Sequence, residues 1–215
     1  MGKEQNYVHN TPNSLMSAEI ISLNPQAGVL VMTMYWRPRP ADPDPEQPGE
    51  KLSALSYLPI DARKRCPCGS GKRFGTCCRL LPYWRPVCPN PGMQGYSLVR
   101  PQAASFTNVD ADEIYAFLQE DERLYCIEPG PEHSFWIYWG EIAFDAPYGT
   151  VCFGDFELQK DHTFVVTALS DTRMQVLLEM LHPLQLGTPH MQLDPFPRVE
   201  KPVQRNARAK RRRHS

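Results

Sequence analysis

The feature that most constrains this chain is the run Cys66-Pro67-Cys68-Gly69-Ser70-Gly71-Lys72-Arg73-Phe74-Gly75-Thr76-Cys77-Cys78. It holds four of the seven cysteines in 215 residues. They are too closely spaced for two relaxed disulfides, and an odd total cannot pair completely. Their spacing is C-x-C, eight residues, then C-C. Two thiolates on one tight turn and two on a second approach can surround a tetrahedral ion, and a closed shell of sulfur suits zinc. The intervening residues fit this purpose. Gly69, Ser70 and Gly71 make a turn able to aim backbone N–H groups at the sulfurs of Cys66 and Cys68. Pro67 stiffens the first turn. Lys64, Arg65, Lys72, Arg73 and Arg79 would offset the excess negative charge of four thiolates and lower the thiol pKa values. Phe74 is the natural core of so small a module. The plainer alternative is four free cysteines or a redox-sensitive dithiol. A catalytic zinc fits poorly, because catalytic sites keep an open position and draw on His or carboxylate ligands. The expectation is one structural Zn2+ on Cys66, Cys68, Cys77 and Cys78, with no catalytic residue and no other cofactor.

This segment resembles the SEC-C motif, the short zinc-binding motif found at the C-terminus of the SecA translocase ATPase and in many otherwise unrelated bacterial proteins. CPCGSGK is the half that carries the resemblance most clearly, and the terminal Cys-Cys pair completes it. The likeness covers about residues 64–80. It implies that Cys66, Cys68, Cys77 and Cys78 are the ligands. In SecA the motif docks on an export chaperone, so the resemblance also implies a protein- or ribosome-facing role rather than catalysis. No phosphate-binding loop of the G-x-x-x-x-G-K-[ST] type accompanies it.

The net charge of −1 conceals a division. From Lys201 onward there are seven basic residues and no acidic ones. Removing these seven from the 23 basic residues leaves 16 against 24 acidic ones, so residues 1–200 carry a formal charge of −8. An acidic body with a basic tail suits a protein whose tail meets a polyanion. RNA, DNA or a ribosomal surface are the candidate partners of residues 201–215, an anionic membrane surface is a second target, and a solvated tail with only weak attraction is the plainer alternative. No aromatic residue interleaves with the tail, which argues against base stacking. The N-terminal stretch has no apolar core of signal-peptide length, and no stretch reaches the ~18 apolar residues of a membrane span. A cytoplasmic protein is the expectation.

Apolar residues make up 41% of the chain, enough for a buried core, and the 22 prolines cluster into what read as irregular segments. Residues 18–36 read as a hairpin, with AEIISL and GVLVMTMYW as strands and Asn24 to Gly28 as the turn. Residues 37–50 hold five prolines and read as a linker or exposed loop. LLPYWRPVCPNPGMQGY reads as irregular. Asp110 with Glu113 three residues on marks a helix start, and Val109, Ile114, Phe117 and Leu118 form its apolar face. Strands are expected at 124–128, 134–144, 150–158 and 163–169. A last helix begins at Ser170 or Asp171, turns Met174, Leu177, Leu178 and Leu181 inward, and stops before Pro183. Residues 187–215 lack periodicity and read as disordered. The resulting fold class is α+β: a small antiparallel meander sheet flanked by two helices, with a four-cysteine zinc module and a basic tail. The expected divisions are 1–60 (hairpin and linker), 61–85 (zinc module), 97–186 (α+β domain) and 187–215 (tail).

Three further features carry weaker chemistry. Cys126 with His133, and Cys152 with His162, have the composition of nucleophile–base pairs, yet both cysteines lie in apolar strand runs where cysteine is ordinarily a small core residue. Cys88 is near enough in sequence to be an alternative zinc ligand. Phe135 to Trp139 would expose an aromatic face unless the sheet is covered on both sides. The reading is therefore a zinc-binding adaptor for a protein or ribonucleoprotein partner, more a binding protein than an enzyme. Two rivals stand beside it. One is a small-molecule-binding or enzymatic α+β domain with an accessory zinc module, for which His133, His162, Tyr138 and Glu141 would have to line a pocket. The other is a nucleic-acid binder acting through the tail.

Overall fold

In the computed structural model, the residues described are 28–38, 49–93, 95–139, 145–146 and 149–201. The chain runs through β1 (Gly28–Pro38), β2 (Gly49–Pro59), β3 (Tyr83–Trp84), β4 (Val87–Pro89), β5 (Tyr96–Leu98) and β6 (Gln102–Phe106). It continues through α1 (Ala111–Glu120), β7 (Leu124–Glu128), β8 (Ser134–Tyr138), β9 (Asp145–Ala146), β10 (Gly149–Cys152), β11 (Gly154–Leu158) and β12 (Phe164–Ala168). It ends with α2 (Asp171–Met180), β13 (His190–Leu193) and β14 (Val199–Glu200).

The first sheet is organised by β1. Along one edge it pairs antiparallel with β2 over its full length, from Gly28↔Pro59 to Pro38↔Gly49. Its other edge is shared. β4 joins in parallel at Val31↔Val87, and β10 joins antiparallel at Met34↔Cys152 to Trp36↔Thr150. The period-two alternation of GVLVMTMYW then decides what lies on each side. Val29 and Val31 pack with Cys66, Phe74 and Cys78. Leu30 and Met32 pack with Leu55, Trp84, Cys88 and Val99. The cysteine segment is thus a layer on one face of the hairpin.

The second sheet is antiparallel in the order β13-β6-β12-β11-β8-β7. Both helices cover the same face of it. Ile114 and Leu118 of α1, and Met174, Leu177 and Met180 of α2, bury against Trp136, Phe156, Phe164 and Val166. Each helix starts on a side-chain cap that satisfies an otherwise orphan N–H. Asp110 accepts from Glu113 N, and Ser170 accepts from Arg173 N. The aromatic run of β8 is core on both sides: Trp136 and Tyr138 face the helices, and Ile137 packs with Trp36 and Cys152 of the first sheet. The chain steps between sheets at Phe153. Gly154 follows because a Cβ there would stand 2.7 Å from Thr167 O and inside the Leu177 side chain. Arg173 is 1% exposed and ties the step together. Its guanidinium donates to Pro89 O at 2.9 and 2.6 Å and to Cys152 O at 3.5 Å, and lies 4.9 Å from the Phe153 ring.

Four expectations change. GVLVMTMYW pairs with residues 49–59, for which no strand is expected, and AEIISL lies outside the described residues. Lys51, Ser53 and Ser56 mask the strand character of β2, and 18–27 and the 39–48 part of the Pro-rich linker lie outside the described residues. Among the described residues there are three sheets rather than one meander, because the expected strand 150–158 divides at Phe153 and its first half crosses to β1. The Pro-rich segment after the cysteines supplies β3, β4 and β5. Residues 187–201, expected to be disordered, carry β13 and β14. β13 pairs β6 while keeping all four side chains exposed, so it joins the fold through backbone hydrogen bonds that leave no hydrophobic pattern. The basic residues beyond Lys201 lie outside the described residues.

Candidate metal centre

The cysteine segment is a small knuckle. Phe74 N donates to Lys64 O, and Cys66 N donates to Lys72 O, both at 2.8 Å, which folds the first pair back over the segment between. Gly69 and Gly71 adopt φ values of 75° and 71°, a left-handed conformation that costs glycine least. Two single-turn 3-10 helices follow, Phe74–Thr76 and Cys78–Leu80, with Cys77 at their junction. The result brings the four Sγ atoms of Cys66, Cys68, Cys77 and Cys78 within 4.8 Å of one another. Among the described residues this is the one group of three or more metal-type ligands.

A tetrahedral ion with metal–sulfur distances of ~2.3 Å would hold its sulfurs about 3.8 Å apart. Cys68 Sγ and Cys77 Sγ lie 3.6 Å apart, far beyond a disulfide bond and close to that spacing. Ser70 Oγ sits 3.1 Å from Cys77 Sγ. Burial opposes ionisation of Cys66, Cys68 and Cys78, and hydrogen bonds outweigh it only at Cys68. At Cys68, burial is outweighed by the Ser70 hydroxyl and amide, which bring the thiol down to about 7. Burial pushes Cys66 up despite N–H groups of Cys68 and Cys78 aimed at it, and burial with the neighbouring thiols pushes Cys78 up strongly. Four clustered sulfurs cannot all ionise without a cation among them. A soft divalent ion supplies that charge, so the donor set fits one.

The knuckle does not rest on its own core. Phe74, 1% exposed, is shared with Val29, Val31 and Val87 of the first sheet. A second tie comes from far along the chain. Lys201 Nζ donates to Cys78 O, Arg79 O and Leu81 O at 3.0, 3.1 and 2.7 Å. These are carbonyls at the end of a helical turn, where a cation is favoured. Sequence reading placed Lys201 with the polyanion-binding tail. Only its position as the first of seven basic residues set it apart, and no local pattern disclosed its partner.

The other cysteines stay apart from the centre. Cys88 is fully buried in β4 and belongs to the cluster on the opposite side of β1. Cys152 donates to Gly154 O at 3.2 Å, and burial raises it to about 12, the reverse of an activated nucleophile. Cys126 is also raised, by burial and then by Glu128. His133 lies 3.5 Å from Glu128 and 3.9 Å from Glu157, and His162 occupies a tight turn with φ 59°. Tyr138 is core, and Glu141 lies outside the described residues.

Mostly strands, two helices among the described residues and a four-cysteine cluster are the class that fold and site define. Residues 64–80 of the chain match the SEC-C motif. Neither the curated proteins nor the solved structures contain a match to the chain. Among the described residues no helix is long and apolar enough to cross a membrane.

Proposed function

We propose that Cys66, Cys68, Cys77 and Cys78 hold one structural Zn2+, and that the knuckle so formed docks an acidic protein partner. The observation that carries the reading is the convergence of four sulfurs within 4.8 Å on a segment matching the SEC-C motif. Four thiolates fill a tetrahedral shell and leave no position for a substrate, so the ion's role is to fold the segment. The face presented to solvent supports docking. Leu80 is 73% exposed, the most open large apolar side chain among the described residues, and Arg65, Lys72 and Arg73 of the same segment are exposed. An apolar knob among cations suits an acidic surface with an apolar pocket.

Elemental mass spectrometry of the purified chain should give about one zinc, lost in the Cys66→Ser/Cys77→Ser double variant. A photo-crosslinking residue at position 80 should capture a protein, and Lys72→Glu/Arg73→Glu should abolish the adduct without removing zinc. An adduct that disappears on nuclease treatment would instead support nucleic-acid binding, with the basic residues beyond Lys201 as its natural source.

A further inference from the structure

The face of the second sheet turned away from the helices is built unlike a core. Strand register sets Asp155, Thr167, Ala103 and Gln192 side by side across β11, β12, β6 and β13. These are small and polar side chains where packing against another layer ordinarily needs bulk. The β1–β2 hairpin opposite contributes Met34, Lys51 and Ser53, and a cleft of about 720 Å3 lies between. That volume falls in the range of small-molecule sites. The segment from Gln192 to Val199 forms a further wall.

Asp155 is 3% exposed and carries the polar chemistry. Its Oδ2 accepts from Lys51 Nζ at 2.7 Å, and its Oδ1 accepts from Thr167 Oγ1 at 2.5 Å. A carboxylate has about four acceptor positions, so two remain. Lys51 keeps 33% of its side-chain surface open and has two further N–H donors. Among the described residues, the charged residues of the lining are Lys51, Arg198, Asp155 and Asp194, two of each sign. A balanced lining exerts no net attraction on a polyanion such as a nucleotide, and it favours a ligand that itself carries both signs. Met32 and Met34 add an adaptable apolar wall.

We propose that this cleft binds a small zwitterion, an amino acid or dipeptide with free ammonium and carboxylate groups. Lys51 receives the carboxylate, Asp155 receives the ammonium, and the side chain lies on the methionines. The site is independent of the cysteine knuckle, so either assignment stands if the other fails.

The test is calorimetric titration of the full-length, metal-loaded chain with the twenty amino acids and a set of dipeptides. N-acetylated and C-amidated forms of each binder follow. At least one zwitterion should bind with a Kd below about 1 mM, and blocking either terminus should weaken it at least about tenfold. Asp155→Asn and Lys51→Met should each cost a similar factor. Because either could disturb folding, Gln192→Trp on the exposed edge strand β13 provides a second variant. It should fill the cleft and abolish binding with the melting temperature unchanged. Absence of any binder in folded wild type would overturn the proposal. So would blocked ligands that bind equally well, or binding that survives Gln192→Trp.

Discussion

The cysteine knuckle and the helix-covered face of the second sheet are held by opposite means. The knuckle rests on four sulfurs, one buried phenylalanine and one distant lysine. The helix face rests on nineteen buried residues among those described, none of them indispensable by its chemistry. Stability concentrated in a few atoms depends on identity, whereas stability spread over an interior depends on volume and shape. The two regions should therefore fail differently, and substitutions can show whether they fail separately.

The largest effect is expected from Cys66→Ser/Cys77→Ser. Structural zinc sites contribute on the order of 10–16 kcal/mol of apparent binding energy to modules of this kind. Hydrogen exchange should show protection lost across residues 62–81 and reduced in β1, while α1 and α2 keep theirs. Equal loss in the helices would mean that knuckle and core form one cooperative unit, and the contrast would collapse. Next comes Phe74→Ala, which empties the shared contact with Val29, Val31 and Val87 at a cost of ~3–5 kcal/mol. Zinc should remain at about one per chain but leave faster to a chelator. Leu177→Ala sharpens the other side. Leu177 is fully buried beside Gly154, and its truncation should cost ~2–5 kcal/mol of global stability while zinc stays bound in the folded state. Denaturant melting with a parallel zinc assay checks both.

The same contrast governs what the sequence disclosed. The clustering of Cys66, Cys68, Cys77 and Cys78 was legible, because cysteine spacing and the Gly69-Ser70-Gly71 turn are local chemistry. Helix starts were legible for the same reason: Asp110 and Ser170 cap N–H groups three residues away. Strand partners were not. β1 finds β2 across a Pro-rich stretch, and β10 finds β1 from more than a hundred residues on, through backbone bonds that no side chain announces. β13 is the extreme case, with four exposed side chains and an ordered backbone. Lys201 was visible as a charge but not as a cap, since its three carbonyl partners lie 120 to 123 residues earlier. The Asp155–Thr167–Ala103–Gln192 row needs the register of four strands and has no linear signature.

Lys201→Met tests whether the knuckle's distant tie matters. Three hydrogen bonds from a half-buried ammonium to carbonyls should contribute about 1–2 kcal/mol. The loss should fall on the knuckle alone, read as faster chelator extraction of zinc with the main melting transition unmoved. A shift of the main transition would show that the C-terminal segment braces the sheets as well.

The smallest effect concerns the joint between the two sheets, where Lys51 of β2 meets Asp155 of β11. Burial opposes the charge on Lys51, but Asp155, with help from Cys152 and Glu157, outweighs it and holds the ammonium above its ordinary 10.5. A folded-state pKa raised in this way gives a contribution that is complete below about pH 10.5. It fades as the pH climbs through the higher folded value. With a third of the Lys51 side chain open to water, solvent screening keeps the contribution below about 1 kcal/mol. Melting temperatures taken between pH 8 and pH 11.5 should therefore show a small alkaline decline that is absent in Lys51→Met. The zinc content should stay constant over that range, since the cysteine ligands only gain thiolate character as pH rises. A decline of equal size in Lys51→Met would assign the alkaline sensitivity to other groups and reduce the pair to a contact between two sheets held by packing alone.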